Sequence, residues 1–211
     1  MKASRYIGVL AFIVLTYIAI NTLRTNGPGA QGPRPGHRIA AFAAPLVGSG
    51  LDTDVNLAKH ANSGRAGKHP ACSEAAPGVV TSCDLVRDAP SVIGFFFTRG
   101  AHCGDEFDAM QRLSVAQPDV RFLGVVIGQN GADALKTAQA GGWVFPIAYD
   151  RDRAMSVAFG ISGCPAVVLA YPGGAVRDTL LGGDRAARGL ARHVTALVAA
   201  SRRRGWRPAA A

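Results

Sequence analysis

The chain has 211 residues, 48% of them hydrophobic, and a formal net charge of +9 at pH 7. That is enough apolar material for one packed domain with extensions, and it excludes an intrinsically disordered chain. Much of the charge sits late, in Arg185, Arg188, Arg192, Arg202, Arg203, Arg204 and Arg207. Such a tail can touch nucleic acid or anionic lipid, but a solvated tail after a last helix accounts for it more simply.

The N-terminus, Met1-Lys2-Ala3-Ser4-Arg5, is short and basic, and Tyr6 through Leu23 is apolar apart from Thr16, Tyr17, Asn21 and Thr22. Eighteen helical residues span about 27 Å, close to a bilayer core. No small-x-small cleavage site follows, so an uncleaved membrane anchor over residues 1–23 is expected rather than a signal peptide. Residues 24–38, rich in Pro and Gly, read as a spacer. A folded domain is expected over 39–201, followed by the basic tail at 202–211.

Within the domain, His60 to Pro70 reads as a polar surface loop. Cys72 and Cys83 flank a segment centred on Pro77-Gly78, which favours a chain reversal. A structural disulfide is the default reading and closes a loop worth about 2–3 kcal/mol in the chain-entropy model. Two rivals are a metal site built on His69, Cys72 and Cys83, and a second redox pair passing electrons to Cys103. The spacing fits no zinc-finger pattern, and no metal or cofactor is expected.

Ser91 to Thr98 is a buried strand, followed by Gly100-Ala101-His102-Cys103 and then a helical pattern from Asp105 to Leu113. Cys103 therefore stands where a strand hands over to a helix start. Free backbone N–H groups and the positive helix end stabilise a thiolate at such a place. Val120 to Ile127 reads as a central strand, and Asp133 to Ala140 as a helix ended by Gly141-Gly142. A short helix is expected over Arg151 to Phe159. Gly163-Cys164-Pro165 is a tight loop leading into the strand Ala166 to Tyr171, and its X-Pro bond is a candidate for cis. Val176 to Leu181 reads as an edge strand, and Asp184 as the cap of a last helix running to about Ser201. Trp143 and Phe145 read as packing residues.

This order of elements resembles the thioredoxin fold, and more narrowly the membrane-anchored TlpA/ResA-type thioredoxins and the related AhpC/TSA peroxiredoxins. Phe96-Phe97-Thr98-Arg99-Gly100-Ala101-His102-Cys103 stands where those thioredoxins carry Trp-Cys-x-x-Cys. Ala44-Pro45-Leu46, Phe145-Pro146-Ile147-Ala148-Tyr149-Asp150, Gly163-Cys164-Pro165 and Tyr171-Pro172-Gly173-Gly174 match further family stretches. Gly100 replaces the first cysteine of the CxxC motif and also the peroxiredoxin threonine, so the ordinary CxxC disulfide cannot form.

The resemblance implies an α/β domain, a three-layer α/β/α sandwich with a central mixed sheet, behind an N-terminal transmembrane helix. It brings the Cys164 loop against the start of the Cys103 helix, making the two cysteines neighbours despite their separation in sequence. The implied activity is extracytoplasmic thiol–disulfide exchange with protein thiols or disulfides as substrates and no nucleic acid. Cys103 is expected to be the more acidic, attacking thiol, provided solvent reaches it, with Cys164 its partner and Pro165 shaping the substrate groove. His102 and Arg99 are expected to supply positive potential. One alternative is peroxide reduction, with Cys103 oxidised to a sulfenic acid and resolved by Cys164. Another is a non-catalytic binding module, and copper handling ranks well below thiol chemistry. The protein is expected to sit in the cell membrane through a single span, with its globular part outside the cytoplasm.

Overall fold

The computed structural model describes residues 12–17, 31–51, 70–98 and 103–208. Most of the expected anchor, part of the spacer, the 60–69 loop with His69, and Arg99, Gly100, Ala101 and His102 lie outside these residues. Residues 12–17 are helical and exposed, and among the described residues no helix is long and apolar enough to cross a membrane.

Among the described residues, seven strands form two sheets. β1 (Ala43–Pro45) pairs antiparallel with β2 (Val79–Thr81) in a small outer ladder. The main sheet has the order β5-β4-β3-β6-β7, made of β3 (Ser91–Phe97), β4 (Arg121–Ile127), β5 (Ile147–Asp150), β6 (Ala166–Ala170) and β7 (Val176–Leu181). β3, β4 and β5 run parallel, whereas β6 and β7 run antiparallel, giving the expected mixed sheet. The helices are α1 (Ser82–Val86), α2 (Cys103–Ala116), α3 (Gly131–Gly141), α4 (Ala154–Phe159) and α5 (Gly183–Arg203).

The three layers follow from the pleat, because successive side chains point to opposite faces. Val92, Phe122, Val126, Val167 and Leu169 face one way and meet Phe107 and Met110 of α2 and Leu190, Val194 and Leu197 of α5. Ile93, Phe95, Leu123, Val125, Ala166 and Val168 face the other way, onto Leu85 of α1 and Met155 and Phe159 of α4. Both sheet edges are covered by residues 31–51. Gly36 and His37 exchange backbone hydrogen bonds with Val176 beside β7, and Val47 donates to Ile147 beside β5. This relieves the aggregation hazard of open edges.

Three local expectations are corrected. α5 begins at Gly183 behind the N-cap Gly182, so Asp184 lies inside the helix rather than capping it. The basic tail is not simply solvated. α5 continues past Ser201 to Arg203, and the Trp206 indole N–H donates to the Asp88 carbonyl at 2.7 Å. The Arg204 guanidinium lies 3.8 Å from the Tyr171 ring centroid, so the segment folds back onto the domain. The short helix is also trimmed, since α4 starts at Ala154 after Arg153 in a left-handed conformation (φ 65°).

Candidate active site

β3 ends at Phe97, and α2 opens at Cys103 on the other side of a short connection. The pattern that seats this helix is Cys103, Glu106, Phe107 and Met110, at i, i+3, i+4 and i+7, all buried against the sheet. The sheet gives way beneath it. Gly94 and Gly124 are register partners on neighbouring strands. A Cβ on Gly94 would stand 2.3 Å from Met110 Sδ, and one on Gly124 would stand 2.5 Å from Phe107 Cε1. The paired glycines thus form the trough that lets α2 approach and sets the depth of Cys103.

The second cysteine arrives from α4. Its C-cap Gly160 takes the left-handed conformation, and the chain turns through Ile161, Ser162 and Gly163 to Cys164. The Cys164–Pro165 peptide bond is cis, and β6 begins at once with Ala166. This loop faces the first turn of α2. Cys103 and Cys164 are joined by a disulfide with Cα atoms 5.4 Å apart, inside the range a bridge requires. Both sulfurs stand over the end of β3, with Cys103 Sγ 3.2 Å and Cys164 Sγ 3.8 Å from the Phe97 carbonyl oxygen.

Access to the two residues is unequal. Cys103 is 2% exposed, whereas Cys164 is half-buried. Solvent therefore reaches the pair from the Cys164 side. The expected order of attack, with Cys103 first, required solvent to reach Cys103, and in the bridged state Cys103 is the more buried of the two.

A further residue belongs to this site, and the sequence reading missed it. Glu106 lies one helical turn after Cys103 and is fully buried. Neither carboxylate oxygen meets hydrogen-bond geometry with any partner. Burial pushes its carboxyl well above the usual carboxylate range, and backbone groups of Ala166 and Phe95 oppose this only in part. Ala166 follows the cis-Pro directly, so the Glu106 carboxyl lies between the start of β6 and β3, one helical turn along α2 from Cys103. In its protonated form such a carboxyl can give up a proton, and as the carboxylate it can take one back.

A second buried acid, Asp150, closes β5 and is 1% exposed. Burial is the main force raising its pKa to about 7, with Asp152 adding to the rise and the Ser156 backbone N–H opposing it. That N–H donates to Asp150 Oδ2 at 3.0 Å, so the carboxylate holds the start of α4, the helix leading to Cys164.

Cys72 and Cys83 form a second disulfide, with Cα atoms 5.6 Å apart. It cannot exchange directly with the first. Cys83 lies in α1, before the start of β3, and Cys103 lies beyond its end. Seven strand residues separate the two ends, about 20 Å at the usual rise. The metal alternative also loses its thiolates in this state, because both sulfurs are engaged in the bridge. Trp143 and Phe145 pack as expected: both rings contact Phe107, and the Trp143 indole N–H donates to Asp108 Oδ1 at 2.8 Å.

No protein-family model matches the sequence, and the comparison with curated proteins finds no relative. The fold does match solved structures. The thioredoxin domain of a thiol-disulfide oxidoreductase from Bacteroides vulgatus aligns with 77% of this chain and 99% of its own, at 15% identity and a TM-score of 0.54. A candidate thiol:disulfide interchange protein DsbE from Chlorobium tepidum aligns with 78% of this chain and 97% of its own, at 17% identity and a TM-score of 0.59. A secreted Mycobacterium tuberculosis disulfide oxidoreductase homologous to E. coli DsbE aligns with 57% of this chain and 90% of its own, at 19% identity and a TM-score of 0.51. At these identities the shared property is the architecture: the chain has a thioredoxin-like fold built around a cysteine pair that spans a helix start and a cis-Pro loop.

Proposed function

We propose that this protein is an extracytoplasmic thiol–disulfide oxidoreductase whose redox pair is Cys103 and Cys164. The observation that carries the reading is the bridge between the first residue of α2 and the residue before a cis-proline, with a buried acid one helical turn along α2. In the oxidising direction a substrate thiolate attacks the sulfur of the more accessible Cys164. A mixed disulfide forms, and Cys103 leaves as a thiolate that takes a proton from the neutral Glu106 carboxyl. A second substrate thiolate then attacks the substrate sulfur of the mixed disulfide. Cys164 is released, and two electrons have passed from the dithiol to the protein. In the reducing direction the same bonds break and form in reverse, and Glu106 accepts the Cys103 proton.

In this reading Pro165 shapes the substrate groove beside Cys164, and Arg99 and His102, which precede Cys103 in sequence, supply positive potential. Tyr6–Leu23 anchors the chain in the cell membrane, leaving the domain on the oxidising side, where disulfides persist. Peroxide reduction fits less well, because the peroxidatic role falls on a cysteine that is 2% exposed. A decayed binding module does not account for a bonded cysteine pair with a fully buried acid one helical turn after Cys103.

The test is to offer the reduced full-length protein a disulfide-bonded protein substrate and, separately, hydrogen peroxide. Exchange with the protein disulfide through a mixed disulfide on Cys164 supports the reading. Selective, stoichiometric oxidation of Cys103 by peroxide, with no protein exchange, favours the peroxidase.

A further inference from the structure

The Cys72–Cys83 bridge differs from a buried structural staple in its setting. Both cysteines are exposed. Both also line one cleft of about 470 Å³, between α1, the chain entering β1 and the Gly173-Gly174 turn. That volume lies within the range of small-ligand sites. Among the described residues, the charged side chains lining the cleft are Arg38 and Arg87, and none of the lining residues is acidic. Arg87 also pairs with Asp84, while the Arg38 side chain donates to a neutral acceptor, the Gly173 carbonyl, at 3.2 Å. The net character of the cleft is therefore cationic beside an accessible disulfide. Exposed bridges are attacked by thiolates without prior unfolding, whereas buried ones wait for the chain to open.

We propose that Cys72–Cys83 is a second, separate redox site, opened by an anionic low-molecular-weight thiol that docks its carboxylates beside Arg38. The thiol's sulfur, as thiolate, attacks one cysteine sulfur. The Cys72–Cys83 bond breaks, a mixed disulfide forms, and the other cysteine leaves as a thiolate that is protonated from solvent. A second thiolate attacks the small-molecule sulfur of the mixed disulfide and releases the first cysteine. Two equivalents of thiol become one small-molecule disulfide, and the protein gains two thiols. The length of β3 separates this site from Cys103–Cys164, so its redox state is set by the surrounding thiol pool and not by the exchange pair.

The full-length protein is incubated under native conditions with reduced glutathione, which is anionic, and in parallel with cysteamine, which is cationic. Differential alkylation and peptide mapping follow each bridge separately, so failure here is distinct from failure at Cys103–Cys164. The expected result is opening of Cys72–Cys83 in proportion to thiol concentration. After correction for thiolate fraction it should be several-fold faster with glutathione, and Arg38→Gln should erase most of that preference while the melting temperature stays unchanged. Opening at a rate independent of thiol concentration and equal to global unfolding would overturn the proposal. So would equal rates with the two thiols.

Discussion

Glu106 Oε1 lies 2.9 Å from the point where a Cβ on Gly94 would stand. A strand residue without a side chain thus makes room for an acid on the helix that carries Cys103, and Met110 of the same helix uses the rest of that room.

Gly94→Ala is therefore expected to destabilise the protein by about 1–3 kcal/mol through overpacking. The helix carrying Cys103 must also shift, so the pair should bridge less readily. Chemical denaturation measures the first effect, and the equilibrium between thiols and disulfide measures the second. Unchanged stability would mean that α2 is not seated as described.

Glu106→Gln keeps the shape and removes the proton. In the wild type, the rate of exchange at Cys103 is expected to carry an inflection above the usual carboxylate range, because burial raises the Glu106 pKa. The variant should lose that inflection and exchange about 10- to 100-fold more slowly where Cys103 must gain or lose a proton. Superimposable pH profiles would remove Glu106 from the mechanism and leave it a buried group with no role.

The chain order of the site was legible before its chemistry. An apolar strand running into a helix start at Cys103, and Gly-Cys-Pro running into another strand, placed both cysteines where they stand. Cys103 as the accessible thiol was not legible, because burial depends on how far α2 sinks into the Gly94 and Gly124 trough, and that register is a tertiary fact. Glu106 was hidden for a different reason. An Asp105-Glu106 pair in the first turn of a helix is ordinarily a solvated complement to the helix dipole. Its i+3 spacing from Cys103, within the stripe completed by Phe107 and Met110, was the signal that one of these acids faces inward. The docking of Trp206 onto Asp88 left no trace in a run of arginines, since nothing local distinguishes a returning tail from a free one.

Asp150 makes a prediction about stability. Its carboxyl has a model value of 3.8 and is raised to about 7 in the folded state. The folded chain therefore holds a proton there that the unfolded chain has lost. This contribution to stability is full below about pH 4 and declines as pH rises to about 7. Asp150→Asn should flatten that part of the curve of unfolding free energy against pH, and still accept the Ser156 N–H. Thermal or denaturant unfolding between pH 4 and 7.5 measures it. An equal slope in both proteins would place the titration elsewhere.

The two cysteines should behave differently once the bridge is opened. In the reduced wild type, Cys164 is expected to alkylate at least about tenfold faster than Cys103, because only the deprotonated, accessible sulfur reacts. Cys103→Ser should trap a long-lived mixed disulfide on Cys164 with a protein substrate, whereas Cys164→Ser should trap little. Faster labelling of Cys103 would restore the order expected from the helix start alone.

The most direct measurement of the central claim is a redox titration of the native full-length protein in a graded series of thiol and disulfide buffers, with peptide mapping of Cys103 and Cys164. The account predicts one reversible two-electron transition for this pair, complete in both directions while the fold remains intact. A pair that stays bonded across the whole series until the protein is denatured, or that stays reduced under all oxidising conditions, would contradict it.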